Sequence, residues 1–139
     1  MADDRPPTTG TEPSSALGLW TGRGLSALFV LFMLFDVAIK VLRLPIVEEA
    51  MAQLGYPAGL GLPIGVLEAV ALVLYLVPRT VVLGAVLFTG VFGGAIASHL
   101  RVGDPLFSHT LFGVWLGLFA WGGLWLRDAR LRALFPWRR

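Results

Sequence analysis

Four apolar stretches, each close to the ~20 residues a helix needs to cross ~30 Å of hydrocarbon, decide what this chain can fold into. They run from about Gly24 to Leu44, Ala58 to Val77, Val81 to Leu100 and Leu106 to Leu126. Inside lipid only a helix or a closed barrel satisfies its own backbone donors and acceptors. The sequence therefore predicts an all-α fold, an integral membrane bundle of four transmembrane helices over residues 19–127. Composition agrees. Hydrophobic residues make up 56% of the 139 and charged residues 14%, with a mean hydropathy of +0.76. A soluble domain carries about 25% charged residues, and one this small has too little interior to hide so much apolar surface.

The flanks and connections read differently. Residues 1–18, polar and rich in Pro, Thr and Ser, are expected to be a disordered cytoplasmic tail. Residues 128–139 form a basic cytoplasmic C-terminal tail. No apolar segment lies near enough to Met1 to read as a secretory signal, and Ala50-Met51-Ala52 is a chance match to a cleavage site behind too long an apolar run. Between the first and second spans, Ile46 to Leu54 has apolar residues at helical spacing, with Glu48 and Glu49 on another face. That pattern predicts a short helix at the membrane surface, ended by Gly55-Tyr56-Pro57. Val77-Pro78-Arg79-Thr80 and Arg101-Val102-Gly103-Asp104-Pro105 are the other turns.

Basic residues set the orientation. Arg5, Arg23, Arg79, Arg127, Arg130, Arg132, Arg138 and Arg139 fall on one side; Lys40, Arg43 and Arg101 fall on the other. The positive-inside rule places the larger group, and both termini, in the cytoplasm, with the chain in the cell (inner) membrane. The same rule accounts for a pI near 9.7 without nucleic acid as a partner. Trp20, Trp121, Trp125 and Trp137 sit near span ends, as interfacial anchors do. Small residues recur four apart at Gly61, Gly65 and Ala69, at Gly90, Gly94 and Ser98, and at Gly113 and Gly117, suiting close helix packing in a compact bundle, with a homodimer as the other use of such a series.

Charges inside spans cost ~2.5–3.5 kcal/mol each on insertion scales, so each needs a reason. Asp36, Lys40 and Arg43 follow i, i+4, i+7 on one face of the first helix. At ~1.5 Å per residue, Asp36 and Glu68 lie at similar depth, both about 18 Å from the cytoplasmic side. Lys40 is one turn above, and His99, Arg101 and Asp104 sit near the same outer rim. These six residues, Asp36, Lys40, Glu68, His99, Arg101 and Asp104, are the candidate polar pocket, open toward the outer surface. The bland reading has Lys40 and Arg43 snorkelling to the interface and Asp36 pairing with Lys40 within one helix. Glu68 resists it, because its own span offers no basic partner.

Chemistry is narrowed by what is absent. With no cysteine in the chain, disulfides, thiol exchange and Cys-held clusters are excluded. No HExxH, P-loop, GxGxxG or nucleophile elbow occurs. No metal site is expected from Glu68, His99, Asp104 and His109, and a bis-His haem between His99 and His109 is not expected, since they flank one short loop. No self-sufficient catalytic motif is present.

Several local patterns together resemble the DoxX-like family of small bacterial membrane proteins, over roughly Leu25 to Leu126. They are Phe35-Asp36-Val37-Ala38-Ile39-Lys40, the turn Leu54-Gly55-Tyr56-Pro57, Ile64-Gly65-Val66-Leu67-Glu68, the Pro78 turn, and His99-Leu100-Arg101-Val102-Gly103-Asp104-Pro105. The resemblance implies a four-helix bundle in the cytoplasmic membrane and a link to quinone-coupled oxidoreductases, since the family's namesake is a subunit of a thiosulfate:quinone oxidoreductase. On it, Lys40, Glu68, His99, Arg101 and Asp104 match the family's polar positions. The leading expectation is a membrane subunit that binds a quinone or similar amphipathic molecule and serves a redox partner protein. Two readings stand beside it: a transporter or channel-like protein for a small solute or lipid, and a non-catalytic membrane anchor for a soluble enzyme.

Overall fold

Ser15 sets the start of the first helix. Its hydroxyl oxygen accepts a hydrogen bond from the backbone N–H of Gly18 at 3.2 Å, satisfying one of the donors that a helix start leaves open. In the computed structural model, which describes residues 15–134, this helix, α1, runs Ala16–Val41. It starts earlier than the expected first span, because Ala16, Leu17, Leu19 and Trp20 continue the apolar run into the end of the expected disordered tail. Residues 1–14 of that tail lie outside the described residues.

α1 stops at a left-handed residue that is not glycine. Arg43 has φ 55°, Arg43 N–H donates to Lys40 O and Leu44 N–H donates to Ile39 O, each at 3.1 Å. This closes the helix in the paired pattern that satisfies its last carbonyls. Pro45 then opens a short helix, α2, Pro45–Gln53, where its fixed φ and missing N–H suit the first turn. α3 covers Gly61–Leu76, α4 Val81–Val102 and α5 Phe112–Arg127. Gly103, with φ 75°, ends α4. The expected start of the fourth span, Leu106–Thr110, is a π-helical turn leading into α5. Asp128 caps a last short helix, α6, Ala129–Leu134, accepting from Arg130 N–H at 2.9 Å. The basic tail expected from residue 128 thus begins as a helix; residues 135–139 lie outside the described residues.

Among the described residues, three segments are long and apolar enough to cross a membrane: Ala16–Val41, Val81–Val102 and Leu106–Arg127. α3 is shorter than the expected span 58–77. Its 16 residues cover ~24 Å, because Pro57 and the positive φ of Gly59, 87°, keep the chain in a turn until Gly61. No strand occurs among the described residues.

α1, α3, α4 and α5 pack in a ring in that order, with α5 returning to α1. Phe29, Met33, Ala71, Leu72, Tyr75, Phe88, Phe92, Leu116, Ala120 and Leu124 fill the centre. Phe29 meets Tyr75 and Phe88 edge-on, with ring centroids 4.9 and 5.1 Å apart, the arrangement that aromatic quadrupoles favour. Large apolar side chains such as Leu28, Leu31, Val70, Val73 and Leu118 face outward, as they do where lipid is the solvent. α1 and α5 touch backbone to backbone. A Cβ on Gly22 would lie 2.9 Å from Gly123 O, and one on Gly123 2.4 Å from Ser26 Oγ. Such contact through small residues supplies the packing that lipid does not drive. Neither glycine belongs to the spaced series read from the sequence.

Candidate functional site

Two facts about helix geometry build the site. Asp36 and Lys40 are four apart on α1 and so share a face. Gly65 lets α3 approach that face closely: a Cβ there would stand 2.6 Å from Lys40 Cβ. Glu68, one turn further along α3, is thereby brought to the lysine. Lys40 Nζ donates to Asp36 Oδ2 at 2.5 Å and to both Glu68 carboxylate oxygens at 2.8 Å. The Glu68 side chain is 4% exposed, that of Lys40 13% and that of Asp36 22%. The acid that lacked a basic partner on its own helix finds one across a helix pair. One ammonium between two carboxylates compensates part of their charge and leaves the set one acid in excess, able to hold or release a proton.

His99 stands across the cavity on α4. Its Nδ1 is 2.5 Å from Asp104 Oδ2, which orients the ring and leaves Nε2 for a ligand. The His109 ring lies 5.8 Å from it, edge to face, and His109 Nδ1 is 2.8 Å from Ser108 Oγ. Tyr56 from the α2–α3 loop and Ser98 from α4 join their hydroxyls at 2.5 Å. Ser98 Oγ donates onward to Gly94 O at 2.8 Å, so Tyr56 is the donor to Ser98.

These groups border one cavity of about 770 Å³. Its walls are mostly apolar, including Phe32, Phe35, Ile39, Ile64, Leu67, Phe92, Phe112 and Leu116. Of the six residues singled out from the sequence, Asp36, Lys40, Glu68, His99 and Asp104 line it. Arg101 does not. It follows His99 by two positions, about 200° round the helix, and its guanidinium donates to Leu54 O and lies against Gly55. It braces the α2–α3 loop from behind. Tyr56, Ser98 and His109 also border the cavity. Sequence reasoning placed the first in a turn, the second in a packing series and the third in a discarded metal set. No group of three or more metal-binding side chains converges among the described residues.

The family model for the DoxX-like family matches residues 24–123, from early in α1 to near the end of α5. The chain belongs to the DoxX-like family. The match takes in all of Val81–Val102, most of the other two membrane-length segments and every residue of the cavity, so this DoxX-like chain is a multi-pass membrane protein with lipid as its surroundings. No curated protein matches it, and no solved structure does.

Proposed function

We propose that this DoxX-like protein is a membrane subunit that binds a quinone or a similar amphipathic molecule in the cavity beside Lys40, and that it serves a redox partner. The observation that carries the reading is the join of two chemistries in one space. A largely apolar cavity of about 770 Å³ has Lys40 and Glu68 on one wall and His99 on another. That volume falls within the ~300–1,000 Å³ of small-molecule sites. The donor set fits such a ligand: Lys40 Nζ, by exchanging one of its two bonds to the Glu68 carboxylate, and His99 Nε2 suit carbonyl oxygens, while the aromatic and aliphatic walls suit a ring and its tail.

Within this reading each residue has a task. Lys40 fixes the carbonyl and holds Glu68 in place. Glu68, nearly buried, is the proton carrier. Asp36 holds Lys40 from the same helix, and Asp104 orients His99. A quinone supplies two-electron redox chemistry when bound; the electrons come from the partner, because no side chain here carries them. We further infer that α3 with its flanking turn completes a fourth crossing, that α2 lies at the membrane surface, and that the chain sits in the cell inner membrane with both termini cytoplasmic. The distribution of Arg and Lys supports that orientation, and it puts the cavity toward the outer face.

The test is a titration of the purified full chain in detergent with a short-tailed benzoquinone and a short-tailed naphthoquinone, read by tryptophan quenching. Saturable binding is expected, weakened about tenfold in Lys40→Met, the equivalent of one charge-assisted hydrogen bond. A linear, unsaturable response that is the same in wild type and variant means partition into detergent and refutes the site.

A further inference from the structure

A second cleft opens at the opposite end of the bundle, about 25 Å along α1 from Lys40. Its volume is about 470 Å³, and Arg23 and Arg127 are among the residues that line it. The close crossing of α1 and α5 at Gly22 and Gly123 brings the Arg127 backbone beside Gly22, the residue before Arg23: a Cβ on Gly22 would lie 3.3 Å from Arg127 N. The cleft's floor is polar but internally satisfied. Tyr75 OH donates to Ala120 O at 2.9 Å, and Ser26 Oγ lies 3.3 Å from Tyr75 OH. Above the floor the walls are apolar, formed by Val30 and Val81.

No carboxylate among the described residues forms an ion pair with either arginine. Arg23 lies over the Trp20 ring at 5.3 Å. Asp128 also borders the cleft, but its Oδ1 is taken by the N–H groups of Arg130 and Leu131 at the start of α6. Arg23 and Arg127 both line this cleft and both are exposed. Val30, Leu76, Val81 and Leu124 give the same cleft apolar walls.

We propose that this cleft binds the phosphate headgroup of an anionic membrane phospholipid, held by Arg23 and Arg127, with an acyl chain along the Val30–Val81 groove. A guanidinium presents paired donors that match two phosphate oxygens, and basic pockets between membrane helices take such headgroups. The apolar walls of the same cleft distinguish a lipid from a free anion, which has nothing to place there. The site is independent of the quinone reading, which concerns the other pole and other residues.

The experiment is native mass spectrometry of the full chain released from nanodiscs of mixed phosphatidylglycerol and phosphatidylcholine. Wild type is expected to retain phosphatidylglycerol selectively, and Arg23→Gln/Arg127→Gln to lose roughly twentyfold of that preference, about fivefold per arginine. Arg130→Gln/Arg132→Gln, which removes two charges from the same pole outside the cleft, should keep the preference. An equal loss in both double variants means diffuse surface attraction and overturns the proposal. Displacement of the lipid by millimolar inorganic phosphate overturns it as well, since a free anion then suffices. Should the glutamine pair fail to fold, Arg23→Lys/Arg127→Lys decides. It retains charge and loses the forked geometry, so an unchanged preference counts against the cleft and a reduced one supports it.

Discussion

Gly65 lies directly behind Lys40, so close that a Cβ on the glycine would stand 2.6 Å from the lysine's own. The contact is between helix trunks and offers no flexible tip to move aside. Gly65→Ala is therefore expected to push α3 from α1, costing about 1–3 kcal/mol by overpacking and drawing Glu68 away from Lys40. Thermal unfolding of the detergent-solubilised chain measures the first effect. Gly90→Ala is the control: a Cβ there meets nothing within 4 Å, and added helix propensity should leave stability equal or slightly higher.

The Lys40–Glu68 pair predicts a specific non-additivity. Lys40→Met leaves Glu68, 4% exposed, beside Asp36 with no cation, and breaking a buried pair this way costs about 3–5 kcal/mol. Adding Glu68→Gln removes the stranded charge, so Lys40→Met/Glu68→Gln should be more stable than Lys40→Met alone. A double-mutant cycle by denaturant titration reads the coupling. Strictly additive losses would mean that the two side chains do not interact in the membrane-solubilised protein.

Much of this arrangement was legible in the sequence. Runs near twenty apolar residues announce membrane helices because hydrocarbon thickness fixes helix length. Counting rise along two helices put Asp36 and Glu68 at one depth, and the structure joins both to Lys40. The start of α1 was not legible, since Ala16 to Trp20 are apolar enough to prolong a helix yet follow a polar tail. α3 came out short because the turn through Pro57 and Gly59 delays its start. Arg101 was misplaced for a simpler reason. Depth puts it level with His99, but the helical period turns it to the other side, and depth alone does not say which way a side chain faces. Tyr56 and Ser98 gave no signal, because one hydroxyl at a loop and one in a small-residue series meet only through the tertiary fold.

Arg101 supplies a prediction that separates bracing from ligand binding. Its guanidinium holds Leu54 O, and Leu54 itself is buried. Arg101→Met should release the loop, raising amide hydrogen exchange from Gly55 to Gly59, with a loss of about 1.5–3 kcal/mol for the charge-assisted bond. The Lys40–Glu68 contact should persist. A variant whose loop exchange matches wild type would mean that other contacts, such as Gly59 N–H to Glu48 Oε2 at 2.9 Å, hold it alone.

Gly94 tests the cavity with the least harm to the fold. It borders the space beside Phe92 and Ser98, and a Cβ there meets nothing within 4 Å. A larger side chain therefore has empty volume to occupy instead of a neighbour to displace. Gly94→Leu should fold at least as well as wild type, since leucine ranks well above glycine in helix propensity. It should nevertheless weaken saturable quinone binding, because the leucine takes up part of the ring's slot. Unfolding temperature and the quinone titration, measured on the same preparation, separate the outcomes. Intact stability with weakened binding supports the cavity as the ligand site; intact stability with wild-type binding moves the ligand elsewhere. A fall in stability would instead mean that the leucine atoms beyond Cβ meet the cavity walls.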